Sequence, residues 1–272
     1  MAAAIAPRVG QVDPGVGQIG VIAIDGPSGS GKSTTARRLA IRFGVAYLDT
    51  GAMYRAATWA VLQAGIDPGD ASGVAEVVEA SELEIDIDPT APRCRMNGID
   101  VSVAIRGSEV TGAVSAVAAI AQVRHLLVAQ QQAIIATELR GDAQLGCRFD
   151  KHGIVVEGRD IASAVVPDAV LKVYLTASQS ARAARRHGDT TVPSASATPN
   201  GVGGSDVQLV RVAEDLQRRD AADHARAVDP LRVAPGAVVL DTTDLDIDDV
   251  VTKLVELHAA AVVTASRTAG KN

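Results

Sequence analysis

Three groups of residues in this chain have the types and spacing to do chemistry. The first is the run Gly26-Pro27-Ser28-Gly29-Ser30-Gly31-Lys32-Ser33-Thr34, in which Gly26, Gly31, Lys32 and Ser33 meet the spacing GxxxxGK[ST]. It follows the apolar run VIAID and opens the helical stretch KSTTARRLAIRF, the context that a phosphate-binding loop (P-loop) requires. Glycines let the backbone curl so that successive N–H groups face phosphate oxygens, and the N-terminus of the following helix adds partial positive charge. Lys32 can reach the β- and γ-phosphates of a nucleotide, and the Ser33 hydroxyl can ligate Mg2+. Binding of a nucleoside triphosphate is the chemistry to expect here.

The second group is arginine-rich. Thr50 and Arg55 follow an apolar run in LDTGAMYR, and Arg159 and Asp160 close another in VEGRD. SQSARAARR spaces Arg182, Arg185 and Arg186 at i, i+3 and i+4, and LQRRDAADHARAVDP spaces Arg219, Asp223 and Arg226 at i, i+4 and i+7. Each set predicts one face of a helix. A single arginine is ordinarily part of a solvated face. Several clusters beside a phosphate loop fit a different need, because two phosphorylated molecules brought together carry negative charge that must be offset before a phosphoryl group moves. The third group is two carboxylates at strand ends. Asp25 and Glu157 could reach Mg2+ through water, or Asp25 could only orient the loop. His125, His152, His187, His224 and His258 show no metal-ligand spacing and predict surface or core roles. Tyr54 and Trp59 predict packing rather than base stacking.

Positioning these residues needs strands that end at the chemistry. VIAID (21–25), VAYLDT (45–50), GIVVEGRD (153–160), AVLKVYLTA (169–177) and GAVVLDTT (236–243) are short apolar runs bounded by turn residues. Helices are predicted from about Lys32 to Phe43, over AMYRAATWAVLQAG with Gly65 as its stop, and over roughly 246–264 with Asp246, Asp248 and Asp249 at the positive end. Continuous apolar strands alternating with helices predict an α/β fold with a parallel sheet covered on both faces. Two regions break the alternation. Residues 83–123 predict an inserted β-containing piece with short helices and a hairpin at Asn97-Gly98. Residues 187–206 are rich in Ser, Thr, Pro and Gly and lie between two arginine-rich helices. The stretch from about His187 to Ser205 is expected to be disordered without ligand and to order at least partly on binding.

The chain has 272 residues, enough to bury a core, and with 47% apolar but only 2% aromatic residues that core must be aliphatic. Its 26 basic and 32 acidic residues give a net charge of −6, which argues against general nucleic-acid binding. Any attraction for an anion must therefore be local. Cys94 and Cys147 are far apart and form no CxxC, so reduced thiols in a cytoplasmic protein are expected. No apolar run approaches the ~18 residues of a membrane span, and MAAAIAPRVG is too short and too interrupted for a signal peptide. Residues 1–18 and 265–272 predict loose tails around one unit, 19–264.

Over about residues 19 to 262 the sequence resembles the bacterial cytidylate kinases, within the nucleoside-monophosphate kinases. The carriers are IDGPSGSGKST, LDTGAMYR, NGIDVS with AIR following, EGRDI and RRDAADHARAVDPL. The resemblance implies transfer of the ATP γ-phosphoryl group to CMP or dCMP, a P-loop core with Mg2+, an inserted acceptor-binding domain (about 83–123), a mobile lid (about 182–215), and a monomer with no membrane or nucleic-acid partner. It also implies roles. Thr50, Arg55, Arg124 and Arg159 would surround the acceptor, Ser115 and Asp160 would hydrogen-bond cytosine, and Arg219, Asp223 and Arg226 would hold its sugar and phosphate. Arg182, Arg185 and Arg186 would close over the transferring group. Two features depart from the family pattern: Ala162 stands where glycine is expected, and the segment after Arg186 lacks the charge of a helical lid. The alternatives are a P-loop kinase for AMP, shikimate or dephospho-coenzyme A, and a regulator that binds nucleotide without turnover.

Overall fold

A computed structural model describes residues 18–140, 149, 151–190 and 204–269. Five parallel strands form the central sheet in the order β2 (Ala46–Asp49), β6 (His152–Glu157), β1 (Gln18–Asp25), β7 (Leu171–Thr176), β8 (Val238–Asp241). Alternation along the strands explains why both faces are covered. In β1, Val21 and Ala23 point into one apolar cluster and Ile22 and Ile24 into the other. In β6, Ile154 and Val156 join the first cluster and Val155 the second. The first cluster includes Met53 of α2 (Thr50–Gln63) and Ile135 of α5 (Ala121–Arg140). The second includes Leu39 of α1 (Lys32–Phe43) and Leu254 of α8 (Ile247–Ala269). The predicted parallel sheet with helices on both faces is therefore present, and its core is aliphatic.

The chain between α2 and α5 forms α3 (Ala71–Ala80), a three-stranded antiparallel sheet, β3 (Leu83–Ile85), β4 (Cys94–Met96) and β5 (Ile99–Asp100), a 3-10 turn over Ala104–Arg106, and α4 (Ser108–Val117). Asn97 and Gly98 join β4 to β5 with φ of 52° and 76°, the pair of positive values that a two-residue hairpin turn needs. Near the C-terminus, the Asp246 carboxylate accepts the Asp249 N–H at 2.8 Å and so caps α8. That helix continues to Ala269, past the predicted start of a loose tail. α6 (Gln179–Thr190) and α7 (Gly204–Ala225) are helical into both ends of the stretch expected to be disordered, and 191–203 lie outside the described residues, as do 1–17 and 270–272. No single helix among the described residues is long and apolar enough to cross a membrane.

α5 is the longest element that the sequence pattern did not predict. Its buried positions include Arg124 and Gln131 beside Val123, Leu127 and Ile135, so no clean apolar stripe marks it.

Candidate active site

The strands β1, β6 and β2 run parallel, so the segments after them meet at one edge of the sheet, where open α/β folds place ligands. The phosphate loop follows β1. Gly26 has φ 147°, and a Cβ there would lie 2.1 Å from the Leu175 carbonyl oxygen of β7, so only glycine lets the loop leave the strand this closely. Lys32 is buried and folds back along the loop, donating from Nζ to the Pro27 carbonyl at 2.7 Å. Burial, then the neighbouring Arg159, pull its pKa down. Ser33 Oγ donates to Glu157 Oε2 at 3.0 Å, and Tyr47 Oη donates to Glu157 Oε1 at 2.5 Å. Burial, then the Asp49 carboxylate, push Glu157 up. Asp25 accepts the N–H groups of Ile161 and Ala162, each at 2.8 Å, and so holds the chain just after β6. Burial lifts its pKa to about 6. Ala162, the departure from the family pattern, is 3% exposed in the short turn Ile161–Val165.

Beyond the loop lies a cleft of about 1230 Å³, counted with the space open to solvent at its mouth. Of the residues named from sequence, it brings together Ser28, Gly29, Gly31, Lys32, Ser33 and Thr34 with Thr50, Arg55, Ser115, Arg159, Asp160, Arg186, Arg219, Asp223 and Arg226. Seven cationic side chains line it against four carboxylates, so the cleft is positive although the chain is not. The crowding shows in the charges themselves. Burial, then Arg219 and Arg186, lower Arg55 to about 9, and burial, then Arg159, lowers Arg219 to about 10. Such an excess of desolvated cations suits a polyanion. Arg159 is the contrast: burial disfavours its charge, but the Asp223 carboxylate at 2.9 Å from Nε holds it above its ordinary value.

Thr50 Oγ1 donates to the Glu157 carbonyl at 2.7 Å, and Arg55 donates to the Ile105 carbonyl at 3.1 Å and to Thr111 Oγ1 at 2.9 Å. Arg219, Asp223 and Arg226 all reach the cleft, although α7 ends at Ala225 and Arg226 lies just beyond it, donating from Nε to the Asp223 carbonyl at 3.2 Å.

Gly26, Pro27, Ser30, Arg124, Arg182 and Arg185 do not line the cleft. Arg124 is fully buried behind Asp160, pairing with it and with Asp229 at 3.1 Å. Burial opposes its charge, but Asp160 and then Tyr54 and Asp229 hold its pKa above the ordinary value, while burial raises Asp160. The three arginines of α6 diverge. Arg186 faces the cleft, Arg185 donates to the Thr242 hydroxyl at 3.0 Å and carbonyl at 2.5 Å, and Arg182 donates to the Ser28 carbonyl at 3.1 Å and pairs with Asp220. Residues the sequence did not single out also line the cleft, among them Asp49, Ile105 and Arg106. AIR, which carries the last two, was the available signal. Tyr54 both packs and lines the cleft, with Arg124 5.6 Å from its ring centroid.

A family model described as cytidylate kinase matches residues 22–260. The chain belongs to the cytidylate kinase family. It is 46% identical over 246 residues to a cytidylate kinase of Nocardia farcinica, covering 90% of this chain and 96% of that one. Identity is 44% over 241 residues to a cytidylate kinase of Corynebacterium glutamicum (89% and 95% covered) and 45% over 245 residues to one of Streptomyces griseus (90% and 95%). Every cleft-lining residue, from Ser28 to Arg226, falls inside the cytidylate kinase match. The family's nucleotide chemistry commonly involves Mg2+, and the donors present fit that ion: a hydroxyl and a carboxylate 3.0 Å apart beside the phosphate loop form a hard oxygen set.

Proposed function

We propose that this chain moves the γ-phosphoryl group of ATP to CMP or dCMP, giving ADP and CDP or dCDP. The observation that carries the reading is the cleft itself. It joins Lys32 and Ser33 of a phosphate loop to Asp160 and a ring of arginines in one positively charged space. ATP lies with its phosphates along 26–34, and Lys32 offsets charge on the β- and γ-phosphates. Ser33, with Glu157 behind it, would hold Mg2+, which supplies charge neutralisation for the triphosphate. The acceptor lies toward Asp160. Ser115 and Asp160 meet the cytosine, whose exocyclic amine donates to the carboxylate, and Arg124 holds that carboxylate from behind. Arg55, Arg159, Arg219 and Arg226 surround the acceptor phosphate, with Asp223 holding Arg159 and with Thr50, fixed on the Glu157 carbonyl, beside them. An oxygen of the acceptor phosphate attacks the γ-phosphorus as the bond to the bridging oxygen of ADP breaks. With a second pKa of ~6 the acceptor phosphate is largely dianionic, so no general base is needed. Arg182, Arg185 and Arg186 belong to a lid of about 182–215 that adds charge stabilisation, and 83–123 is the acceptor-binding insert. The protein works in the cytoplasm as a monomer.

The test is a panel of acceptors with ATP, followed by coupled ADP release. CMP and dCMP should turn over well above UMP, AMP, shikimate and dephospho-coenzyme A. Preference for another acceptor would give the reading to a different small-molecule kinase, and nucleotide binding without ADP release would give it to a regulator.

A further inference from the structure

Asp220 sits on α7 next to Arg219 and one turn before Asp223, yet it does not line the cleft as those two do. It is 9% exposed. Its Oδ1 accepts the Ser28 N–H at 3.2 Å across 192 residues of sequence, and its Oδ2 pairs with Arg182. The same Arg182 Nη1 donates to the Ser28 carbonyl at 3.1 Å. One residue of the phosphate loop, one carboxylate of α7 and one guanidinium of α6 thus close a ring. Arg182 Nε is buried without a hydrogen-bond partner among the described residues, while its Nη1 makes both of the ring's contacts.

We infer that Asp220 is a positioning residue for phosphoryl transfer. It ties the phosphate-loop tip and Arg182 to the helix that carries Arg219 and Asp223, and so sets the separation of the donor and acceptor halves of the cleft. Transfer depends on that separation, since a displacement of about 1 Å costs on the order of 100-fold in rate. The charge on Asp220 matters as well as its shape, because Arg182 is largely buried and its paired carboxylate offsets the cost of that burial. The inference rests on the phosphoryl-transfer reading, and wild-type turnover with CMP tests that reading separately.

The experiment is a double-mutant cycle between Asp220 and Arg182. D220N keeps an oxygen for the Ser28 N–H and removes the charge facing Arg182. It should lower kcat on the order of 10- to 100-fold, with KM for ATP and CMP and the calorimetric affinity for ADP each within about 3-fold of wild type. In an R182M background the same substitution should change kcat by less than about 3-fold, because the partner is already gone. Equal losses in both backgrounds, an unchanged kcat, or a loss of ADP affinity in step with kcat would each overturn the inference and leave Asp220 as structural support. If D220N does not fold, D220E takes its place. A fall in kcat with Tm and ADP affinity intact supports the inference, and wild-type kcat overturns it.

Discussion

Lys32 is almost wholly buried, and its Nζ donates to the Pro27 carbonyl of the loop, a bond for which phosphate oxygens would compete. Lys32→Ala should lower kcat by about 100-fold or more, some ~3 kcal/mol of charge stabilisation at the transition state. Steady-state kinetics checks this, and near-normal turnover would remove Lys32 from the chemistry. Asp160 bears on selectivity instead. Cytosine offers an amine where uracil offers a carbonyl, and a carboxylate facing that carbonyl leaves two desolvated acceptors, a penalty of about 1–3 kcal/mol. Asp160→Asn should therefore narrow the CMP/UMP ratio of kcat/KM. An unchanged ratio in a folded variant would place base recognition elsewhere. The pair with Arg124 makes this side chain less free to turn than its sequence position suggests.

At the scale of elements, α6 and α7 carry arginines to three different places. Helical spacing predicted one shared face for Arg182, Arg185 and Arg186, but long side chains reach partners on separate elements: Ser28 and Asp220, Thr242, and the cleft. If these helices are the lid, closure over two nucleotides must slow amide exchange along them. With an ATP analogue and CMP bound together, amides over 180–215 should become protected. Protection confined to the phosphate loop and 50–55 would make the Ser/Gly/Pro-rich stretch a passive insertion, which costs little entropy to carry.

For the molecule as a whole, Asp25 links the central strand to the chain after β6 through two backbone N–H groups. Its pKa is about 6 in the fold against 3.8 ordinarily. A folded pKa raised in this way stabilises fully below the unfolded value and loses that contribution as pH rises through the folded one, by up to about 3 kcal/mol here. Asp25→Asn cannot titrate, so the stability gap between the variant and wild type should shift toward the variant from pH 4 to pH 7 in urea unfolding. A gap flat with pH would show that Asp25 stays ionised at little cost. The phosphate loop, the five strands and the Asn97-Gly98 turn were all legible in the sequence, because each rests on local rules: glycine conformations, runs of apolar residues, turn chemistry. So was the excess of arginine near a phosphate loop. What only the tertiary structure decided is where those arginines go and what holds them. Arg124 pairs with a carboxylate 36 residues away, Arg182 and Asp220 meet over a loop at the far end of the chain, and Arg159 is held by Asp223. Nothing in local spacing encodes such pairs. They follow from a strand order that puts β1 between β6 and β7, bringing distant strand ends and the helices beyond them to one edge, where burial makes each charge depend on its neighbour.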